Sequence, residues 1–278
     1  MKNISIPEYT LDKIINTGVS TNIYRSITKG NIAVILKVLR DDYPTLEAIA
    51  RLKHEYSVAK KLEHENIVKA LQLENSAEHY AIIFEDFGGI SLRQYLESNR
   101  PSLETILQVA IAITQALVYI HRKQIVHKDI KPANIIVKNL SENNSINSIY
   151  KPVIKLTDFS IASCLEKEIT QQINCNQLEG TLAYISPEQT GRMNRSLDFR
   201  SDFYSLGVML YEMLTGQLPF ISNDPLELIH AHIAEQPTSI NKLNPNINTT
   251  VCAIVEKLMA KNAEDRYHFA DCLLADLQ

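Results

Sequence analysis

Hydrophobic and polar positions follow two different periods along the chain. In the first part, short runs rich in β-branched residues are separated by turn residues, a pattern typical of strands. One helix interrupts them over about residues 46–62, because Leu52, Tyr56 and Ala59 recur at a spacing of three to four. This part therefore predicts a small sheet with one helix, its strands being residues 9–15, 23–27, 32–39 and 80–85.

After the pair Gly88 and Gly89 the pattern changes to long helical stretches. Ser102 precedes a long apolar run, and a serine in that position is a common first residue of a helix. The run predicts a buried helix that continues to about Arg122. The second part of the chain is thus expected to be larger and mainly helical.

The most apolar stretches, 106–120 and 203–214, contain polar residues and are shorter than a membrane span requires. We interpret them as buried helices and expect no membrane span in this chain. Residues 139–150 are rich in Asn and Ser and lie between strand-like runs at 135–137 and 153–156. They predict an enlarged hairpin loop.

Composition and charge narrow the classes of protein. The 278 residues are 45% hydrophobic and 22% charged, which is ordinary for a globular chain with a large core. A net charge of −4 provides no basic field for nucleic acid or an anionic membrane, so neither partner is expected. The N-terminus lacks the basic and apolar regions of a secretory signal, which favours a cytoplasmic location.

The cysteines show no pattern of zinc ligands and are expected to be free thiols. A redox bridge between Cys164 and Cys175 is a second interpretation. The four positions are Cys164, Cys175, Cys252 and Cys272.

The most specific motif is the octapeptide 127–134, His-Lys-Asp-Ile-Lys-Pro-Ala-Asn. It combines the carboxylate of Asp129 with a lysine at 131 and an amide at 134. This spacing is that of a catalytic loop for phosphoryl transfer, in which the protein positions the reactants and neutralises charge. The alternative is a polar turn in which Asp129 is a local cap.

Further parts of the same pattern follow in order. Asp158 and Phe159 come directly after the strand-like run 153–156, as in the metal-binding motif Asp-Phe-Gly, although Ser160 replaces the glycine. Ser-Pro-Glu at 186–188 matches the motif that ends the activation segment.

Upstream, Lys37 ends a strand-like run, where an unpaired ammonium group is costly to bury. A partner is therefore expected, and Glu55 on the predicted helix is the candidate. The alternative for Glu55 is one more solvated charge on a helix.

Together these motifs resemble the eukaryotic-type Ser/Thr protein kinase family in its bacterial form, from Tyr9 to about Leu277. The run 180–195, followed by 198–207, more particularly resembles the N-terminal kinase domain of large bacterial hybrid signalling proteins. Such proteins carry an ATPase module, GAF sensors and a C-terminal histidine kinase. The resemblance implies that the chain is a fragment, with those modules as partners in the same polypeptide.

The resemblance implies an α+β class and a bilobal protein kinase-like fold. A small antiparallel β-sheet N-lobe with one main helix is expected to precede a larger, mainly helical C-lobe. The expected bounds within a kinase domain of residues 1–278 are about 9–86 for the N-lobe, 87–92 for the hinge and 93–278 for the C-lobe.

The implied activity is transfer of the γ-phosphoryl group of ATP, with Mg²⁺, to Ser or Thr hydroxyls of a protein substrate or of the chain itself, in signal transduction. Asp129 is expected to accept or orient the hydroxyl proton, and Lys131 to stabilise the transferred phosphate. Lys37 is expected to contact the α- and β-phosphates and pair with Glu55. The implied metal ligands are Asn134 and Asp158.

The resemblance also implies roles in nucleotide binding or in structural support for other positions. Lys131 and Thr181 favour Ser/Thr over Tyr specificity. Asp202 is expected to hold the backbone of the catalytic loop, and Glu188 to pair with Arg266. The residues implied for nucleotide binding are Ile15, Asn16, Gly18, Ile23, Ile35, Lys37, Phe84, Glu85, Phe87, Asn134 and Asp158.

Departures from the family pattern keep two other hypotheses open. In the phosphate-covering loop only Gly18 remains, since Asn16 and Thr21 occupy the other two glycine positions. With Ser160 also replacing a glycine, the second hypothesis is a pseudokinase, a scaffold that binds nucleotide or a partner. A third is a small-molecule kinase, which normally lacks the Ser-Pro-Glu segment and its supporting Arg266.

Lys128 precedes Asp129 where kinases activated by loop phosphorylation commonly have an arginine. A lysine offers a phosphate only a point charge. The sequence therefore predicts weak dependence on loop phosphorylation, although Thr170 and Thr181 are available as acceptors.

Overall fold

A computed structural model describes residues 6, 8–18, 20–40, 44–75, 79–140, 152–164, 181–192 and 196–278. Backbone contacts divide the chain into two compact units. The sheet unit comprises Met1–Gly89 with Asp158–Ser160, and the helical unit comprises Ile90–Thr157 with Ile161–Gln278. Several predictions lie outside the described residues, namely the hairpin loop at 141–150, Thr170, Cys175 and the start of the run 180–195.

The sheet unit contains one antiparallel sheet of five strands in the order β1-β2-β3-β5-β4. Four of these strands were expected from the sequence, and β4 was not. The bounds are Tyr9–Thr17 for β1, Thr21–Thr28 for β2, Ala33–Leu39 for β3, Ala70–Asn75 for β4 and Tyr80–Glu85 for β5.

Alternation along the strands decides which face of this sheet is buried. Tyr24 of β2 lies opposite Leu36 of β3, and Leu36 lies opposite Ile83 of β5. All three side chains are buried and belong to one apolar cluster, which Val34 and Val38 extend along β3. Side chains two residues apart share a face, so the intervening residues of β3 point to the opposite face.

The main helix of the sheet unit, α1, spans Leu46–Ala59 and ends three residues earlier than the sequence predicted. Thr45 caps its first turn, since its Oγ1 atom accepts a hydrogen bond of 3.2 Å from the amide of Ala48. Helix α1 packs against β4 and β5. Its buried side chains include Leu52 and Glu55, which places a carboxylate inside the unit.

The helical unit contains seven α-helices and five short strands among its described residues. The helices are Leu92–Ser98 (α2), Leu103–Arg122 (α3), Arg200–Thr215 (α4), Pro225–Ala234 (α5), Ile240–Leu243 (α6), Thr249–Leu258 (α7) and Ala270–Leu277 (α8). The strands are Ile90–Ser91 (β6), Ile125–Val126 (β7), Ile135–Lys138 (β8), Val153–Leu156 (β9) and Ser163–Cys164 (β10).

Helix α3 begins where the sequence predicted, with Ser102 Oγ accepting from the amide of Thr105. The helix ends at Arg122 as predicted, and its 20 residues are long and apolar enough to cross a membrane, although the apolar stretch 106–120 alone is shorter than a span. The helix nevertheless packs against α4, α8 and β9, and Ile113 and Leu117 are fully buried. Its hydrophobicity is that of a core helix.

The expected α+β class, with a small antiparallel sheet carrying one main helix and a larger, mainly helical part, is confirmed. The cysteines that the structure describes, Cys164, Cys252 and Cys272, are free thiols. The proposed bridge between Cys164 and Cys175 stays a prediction, because Cys175 is outside the described residues.

Candidate active site

Asp129 is the centre of a hydrogen-bonded cluster in the helical unit, on the segment between β7 and β8. Its Oδ2 atom accepts from Lys131 Nζ at 2.5 Å and from Asn134 Nδ2 at 2.9 Å. Its Oδ1 atom accepts from both the amide and the hydroxyl of Thr181, each at 3.1 Å. The three residues that the sequence placed in the catalytic loop are therefore brought together, and Thr181 joins them.

A 3₁₀ turn over Pro132–Asn134 produces this convergence. Proline fixes its own φ angle, which favours a tight turn at this point. The turn brings Asn134 back so that its Nδ2 atom also donates to the carbonyl of Asp129 at 2.9 Å. Lys131 Nζ also donates to Thr181 Oγ1 at 2.5 Å. The side chains that donate to the buried carboxylate of Asp129 are thus bonded to one another as well.

The carboxylate of Asp202, on α4, binds the backbone of this loop. Its carboxylate accepts from the amides of His127 and Lys128 at 2.9 and 2.8 Å, and from His121 Nε2 at 2.9 Å. Burial by itself would raise the pKa of Asp202, but the bonds from His121 and His127 outweigh burial and lower it. The predicted role of Asp202 as a support for the loop backbone is confirmed.

Lys37, Glu55 and Asp158 form an ion cluster inside the sheet unit. Lys37 Nζ lies 2.9 and 2.8 Å from the two carboxylate oxygens of Glu55, and 2.9 Å from Asp158 Oδ1. Glu55 is only 1% exposed, so it is not a solvated helix charge. The expected pairing of Lys37 with Glu55 is present, whereas the contact with Asp158 was not anticipated.

The pKa values of this cluster reflect burial and charge together. Burial would lower the pKa of Lys37, but the carboxylates of Asp158 and Glu55 outweigh it and raise that pKa. Burial raises the pKa of Glu55 to about 7, with Lys37 acting in the opposite direction. Lys37 is therefore a permanent cation at neutral pH, and the charge of Glu55 changes near neutrality.

Three of the residues predicted to contact nucleotide lie on the face of the sheet that also carries Lys37. Ile23 is the cross-strand partner of Lys37, and Ile35 is the partner of Phe84. Directly opposed residues of antiparallel strands share a face. Because Ile35 and Lys37 are two residues apart on β3, these four side chains lie on one face.

The predicted phosphate-covering loop joins β1 to β2. Asn16 is paired with Ile23, Ile15 is 43% exposed, and the amide of Gly18 donates to the carbonyl of Thr21 at 2.8 Å. A Cβ atom on Gly18 would lie only 3.1 Å from that carbonyl oxygen. A side chain at the one remaining glycine of the loop would therefore crowd the carbonyl of Thr21.

Two further predicted nucleotide residues lie at the end of β5 and just after it, Glu85 and Phe87. The side chain of Glu85 accepts from the amide of Lys69 at 2.9 Å, and the amide of Glu85 donates to the carbonyl of Lys69 at 3.0 Å. Next to it, Asp86 forms an ion pair of 2.6 Å with Arg25 of β2. Sequence reasoning missed this pair, since an acid and an arginine so far apart in sequence carry no local signal.

Glu188 and Arg266 form a buried ion pair in the helical unit. Arg266 Nη1 and Nη2 donate to the two carboxylate oxygens at 2.6 and 3.0 Å, and Ser201 Oγ donates to one of them at 2.7 Å. Arg266 is 2% exposed. The predicted pair is confirmed, and it fixes the segment that follows Thr181.

Tyr184 anchors the same segment to helices α2 and α4. Its hydroxyl donates to Glu212 at 2.5 Å and accepts from Arg93, which also donates to Glu212 at 2.8 Å. Burial raises the pKa of Tyr184, and the bond to Glu212 raises it further. This three-residue cluster was not foreseen.

The two residues predicted to bind Mg²⁺, Asn134 and Asp158, carry oxygen atoms of the type that this ion prefers. Mg²⁺ is typically held by one or two carboxylates together with substrate phosphates. In the helical unit, Asn134 uses its amide N–H groups on Asp129, which leaves its Oδ1 oxygen as an acceptor; in the sheet unit, Asp158 has a carboxylate whose Oδ1 accepts from Lys37 at 2.9 Å. The described residues contain no cluster of three or more His, Cys, Asp or Glu, which a metal held by protein alone would need.

Residues 9–276 match the family model described as Protein kinase domain. This chain belongs to the protein kinase domain family. Three of the curated relatives that it matches are bacterial proteins named as serine/threonine-protein kinases.

Serine/threonine-protein kinase PrkC of Bacillus subtilis is 32% identical over 97% of this chain and 40% of the relative. Probable serine/threonine-protein kinase PknB of Lactococcus lactis is 31% identical over 97% of this chain and 41% of the relative. Serine/threonine-protein kinase PknB of Mycolicibacterium smegmatis is 33% identical over 88% of this chain and 38% of the relative. The chain thus spans about two fifths of the length of these relatives.

Proposed function

We propose that this chain is a serine/threonine protein kinase domain that transfers the γ-phosphoryl group of ATP to a hydroxyl group of a protein substrate or of itself. The observation that carries the proposal is the carboxylate of Asp129, held between Lys131, Asn134 and Thr181. Positioning and charge neutralisation are what phosphoryl transfer requires of a protein.

In this proposal Asp129 orients the attacking hydroxyl group and accepts its proton. A bond forms between the substrate oxygen and the γ-phosphorus, and the bond from that phosphorus to the bridging oxygen of ADP breaks. Lys131 lies 2.5 Å from Asp129, so its ammonium group is placed to neutralise charge on the transferred group. Thr181 keeps Asp129 in one orientation through two hydrogen bonds.

Lys37 is proposed to bind the α- and β-phosphates, with Glu55 fixing the direction of its ammonium group. Asn134 and Asp158 are the proposed ligands of Mg²⁺, which neutralises phosphate charge when bound. Asp158 has a φ angle of 66°, in a region that Asp tolerates better than most residues. That conformation turns its carboxylate towards Lys37 in the sheet unit.

The other proposed nucleotide residues follow from the shared face of the sheet. Ile23 and Ile35 supply apolar contacts to adenine, and Phe84 limits the depth of its site. Ile35 is larger than the alanine common at that position in the family, which makes the adenine site narrower. Ile15, Asn16, Gly18, Glu85 and Phe87 complete the proposed set.

Serine and threonine are the proposed acceptors, in preference to tyrosine. Lys131 lies at a position of the catalytic loop where the tyrosine kinases of the family have no lysine. It donates a hydrogen bond to Thr181. The names of the relatives PrkC and PknB give the same specificity for those proteins.

A larger signalling protein is the proposed setting. The run 180–195 resembles hybrid proteins with ATPase, sensor and histidine kinase modules, which are the proposed partners of this domain. Because ATP is the donor, we place its activity in the cytoplasm.

A pseudokinase is the second candidate, favoured by Asn16, Thr21 and Ser160 at positions where kinases commonly have glycine.

The experiment that separates an active kinase from a pseudokinase supplies the domain with ATP labelled at the γ-phosphate, Mg²⁺ and a generic basic protein. Label on Ser or Thr in the substrate or the domain supports the kinase proposal. Nucleotide binding without any transfer supports the pseudokinase, label on Tyr alone contradicts the specificity, and transfer to a small metabolite alone supports the small-molecule kinase.

A further inference from the structure

Gln189 connects two segments of the helical unit through its side-chain carboxamide. Its Nε2 atom donates to the carbonyl oxygen of Lys128 at 2.8 Å. Its Oε1 atom accepts from the amide and the hydroxyl of Ser186, at 3.2 and 3.0 Å. One half-buried side chain therefore bridges the segment that contains Ser-Pro-Glu and the segment that contains Asp129.

The carbonyl that Gln189 holds belongs to the peptide bond between Lys128 and Asp129. The N–H group of that same peptide donates to His127 Nδ1 at 3.3 Å. A peptide group is planar, so fixing both its oxygen and its N–H fixes the whole plane. The orientation of this plane sets the direction in which the side chain of Asp129 leaves the backbone.

Lys128 has a φ angle of 69°, in the left-handed region that residues with a Cβ atom seldom adopt. Such a conformation persists only where its surroundings hold it. Here the amide of Lys128 donates to Asp202 and its carbonyl accepts from Gln189, each at 2.8 Å. Without Gln189, one of these two restraints is lost.

The turn that carries Gln189 is anchored through Glu188 and is closed by a hydrogen bond of its own. Glu188 is bound by Arg266 at 2.6 Å and by Ser201 at 2.7 Å. Thr190 Oγ1 donates to the carbonyl of Pro187 at 2.6 Å. Gln189 is therefore held by a fixed turn and transmits the position of that turn to the backbone before Asp129.

We propose that Gln189 is a positioning residue for Asp129, acting through the peptide between Lys128 and Asp129 without touching the substrate. This inference rests on the proposed kinase function. It makes the orientation of the catalytic carboxylate depend on the order of the segment ending at Thr190.

The first test compares Gln189→Met, which keeps the length of the side chain and removes the donor, with Gln217→Met at an exposed position of the same unit. A misplaced catalytic group costs up to about 10²-fold in rate. We expect kcat of Gln189→Met to fall by about ten- to a hundredfold, with KM for ATP within about twofold of wild type. Gln217→Met should match wild type. A kcat of Gln189→Met within about twofold of wild type overturns the proposal.

The second test uses Gln189→Glu, which keeps the length of the side chain. A glutamate carboxyl group of ordinary pKa, about 4.3, is ionised at neutral pH and cannot donate to the carbonyl of Lys128. The kcat of this variant at about pH 7 should therefore fall about as far as that of Gln189→Met, with KM for ATP within about twofold of wild type. A kcat of Gln189→Glu within about twofold of wild type contradicts the proposal, and this readout remains available if Gln189→Met does not fold.

Amide hydrogen exchange over residues 127–134 of the nucleotide-free protein separates this inference from the kinase proposal. Exchange should be faster in Gln189→Met than in wild type and unchanged in Gln217→Met. If wild type transfers no phosphate, the proposed function fails, while faster exchange in Gln189→Met still supports the coupling. Unchanged exchange in Gln189→Met overturns the coupling even if wild type is an active kinase.

Discussion

At the scale of single residues, each charged group that is proposed to act in catalysis is held by at least one other side chain. Lys131 and Asn134 both donate to Asp129, and Glu55 and Asp158 both accept from Lys37. Such mutual restraint lowers the freedom of long side chains before any substrate binds. A substitution at one position is therefore expected to displace its partners as well.

The pH dependence of activity is one expected consequence, because burial raises the pKa of Glu55 to about 7. Glu55 is ionised above that pH and protonated below it, and a protonated Glu55 no longer holds the ammonium group of Lys37 by charge. We expect kcat/KM of wild type to fall as the pH drops through about 7, by up to about tenfold per pH unit.

Glu55→Gln should be less active than wild type at high pH and lack this acid limb. Glu47→Gln, at an exposed position of the same helix, is the control and should keep the limb. Kinetic measurements between about pH 6 and pH 8 check both expectations. An unchanged acid limb in Glu55→Gln would assign the titration to another group.

Individual residues were predictable from the sequence only where a motif carried them. Asp129, Lys131 and Asn134 share one short motif, and Glu55 followed from the need of Lys37 for a buried partner. Asp158 as a second partner of Lys37 was not predictable, since it depends on the left-handed backbone at Asp158. Gln189 was not predictable either, because a glutamine beside a motif has no chemical signal of its own.

At the scale of elements, the buried pair of Glu188 and Arg266 connects a turn to the end of the helical unit. Removing one partner of a buried ion pair leaves the other charge without compensation. We expect Arg266→Ala to lower the free energy of unfolding by about 3–5 kcal/mol in urea denaturation.

Arg122→Ala is the control for this prediction, because Arg122 pairs with Asp271 at the surface, with side chains 70% and 55% exposed. Its effect should stay below about 1 kcal/mol. Equal effects of the two substitutions would show that the pair of Glu188 and Arg266 is not important for stability.

Helices α4 and α7 approach each other closely at Gly207. A Cβ atom there would lie 2.8 Å from both Leu258 Cβ and Met259 Cγ. Gly207→Ala should therefore force the helices apart and destabilise the domain by about 1–3 kcal/mol in thermal or urea unfolding. Gly30→Ala meets only Thr28 Oγ1 at 3.7 Å and is expected to be close to neutral. No difference between the two variants would contradict this account of the helix contact.

Of the five strands in the sheet unit, four could be predicted from periodicity, and the exception has a physical reason. Strand β4 has the sequence ALQLEN, in which only Ala70 is buried, and it lies at the edge of the sheet. An edge strand with polar residues and one buried position shows little alternation. Helix α1 also ended earlier than predicted, since helix ends are set by local caps that periodicity does not report.

At the scale of the whole molecule, regulation by loop phosphorylation is expected to be weak. Lys128 is only 7% exposed and takes the place of the arginine that commonly binds a loop phosphate. Phosphatase treatment of the purified domain should therefore leave most of its transfer activity. A nearly complete loss of activity after that treatment would contradict this prediction.

The family was predictable from the whole chain because its motifs occur in order over residues 9–276, the range that the family model also matches. The modules that the resemblance implies stay a prediction, since the chain spans about two fifths of the length of its relatives.

The most direct test of the central claim compares wild type with Asp129→Asn for both ATP binding and phosphate transfer. Asparagine keeps the shape of the side chain and removes the base, so transfer should fall by at least about 10²-fold. Binding of a fluorescent ATP analogue should stay within about twofold of wild type. Transfer at the wild-type rate by Asp129→Asn would contradict the assignment of Asp129 as the catalytic carboxylate.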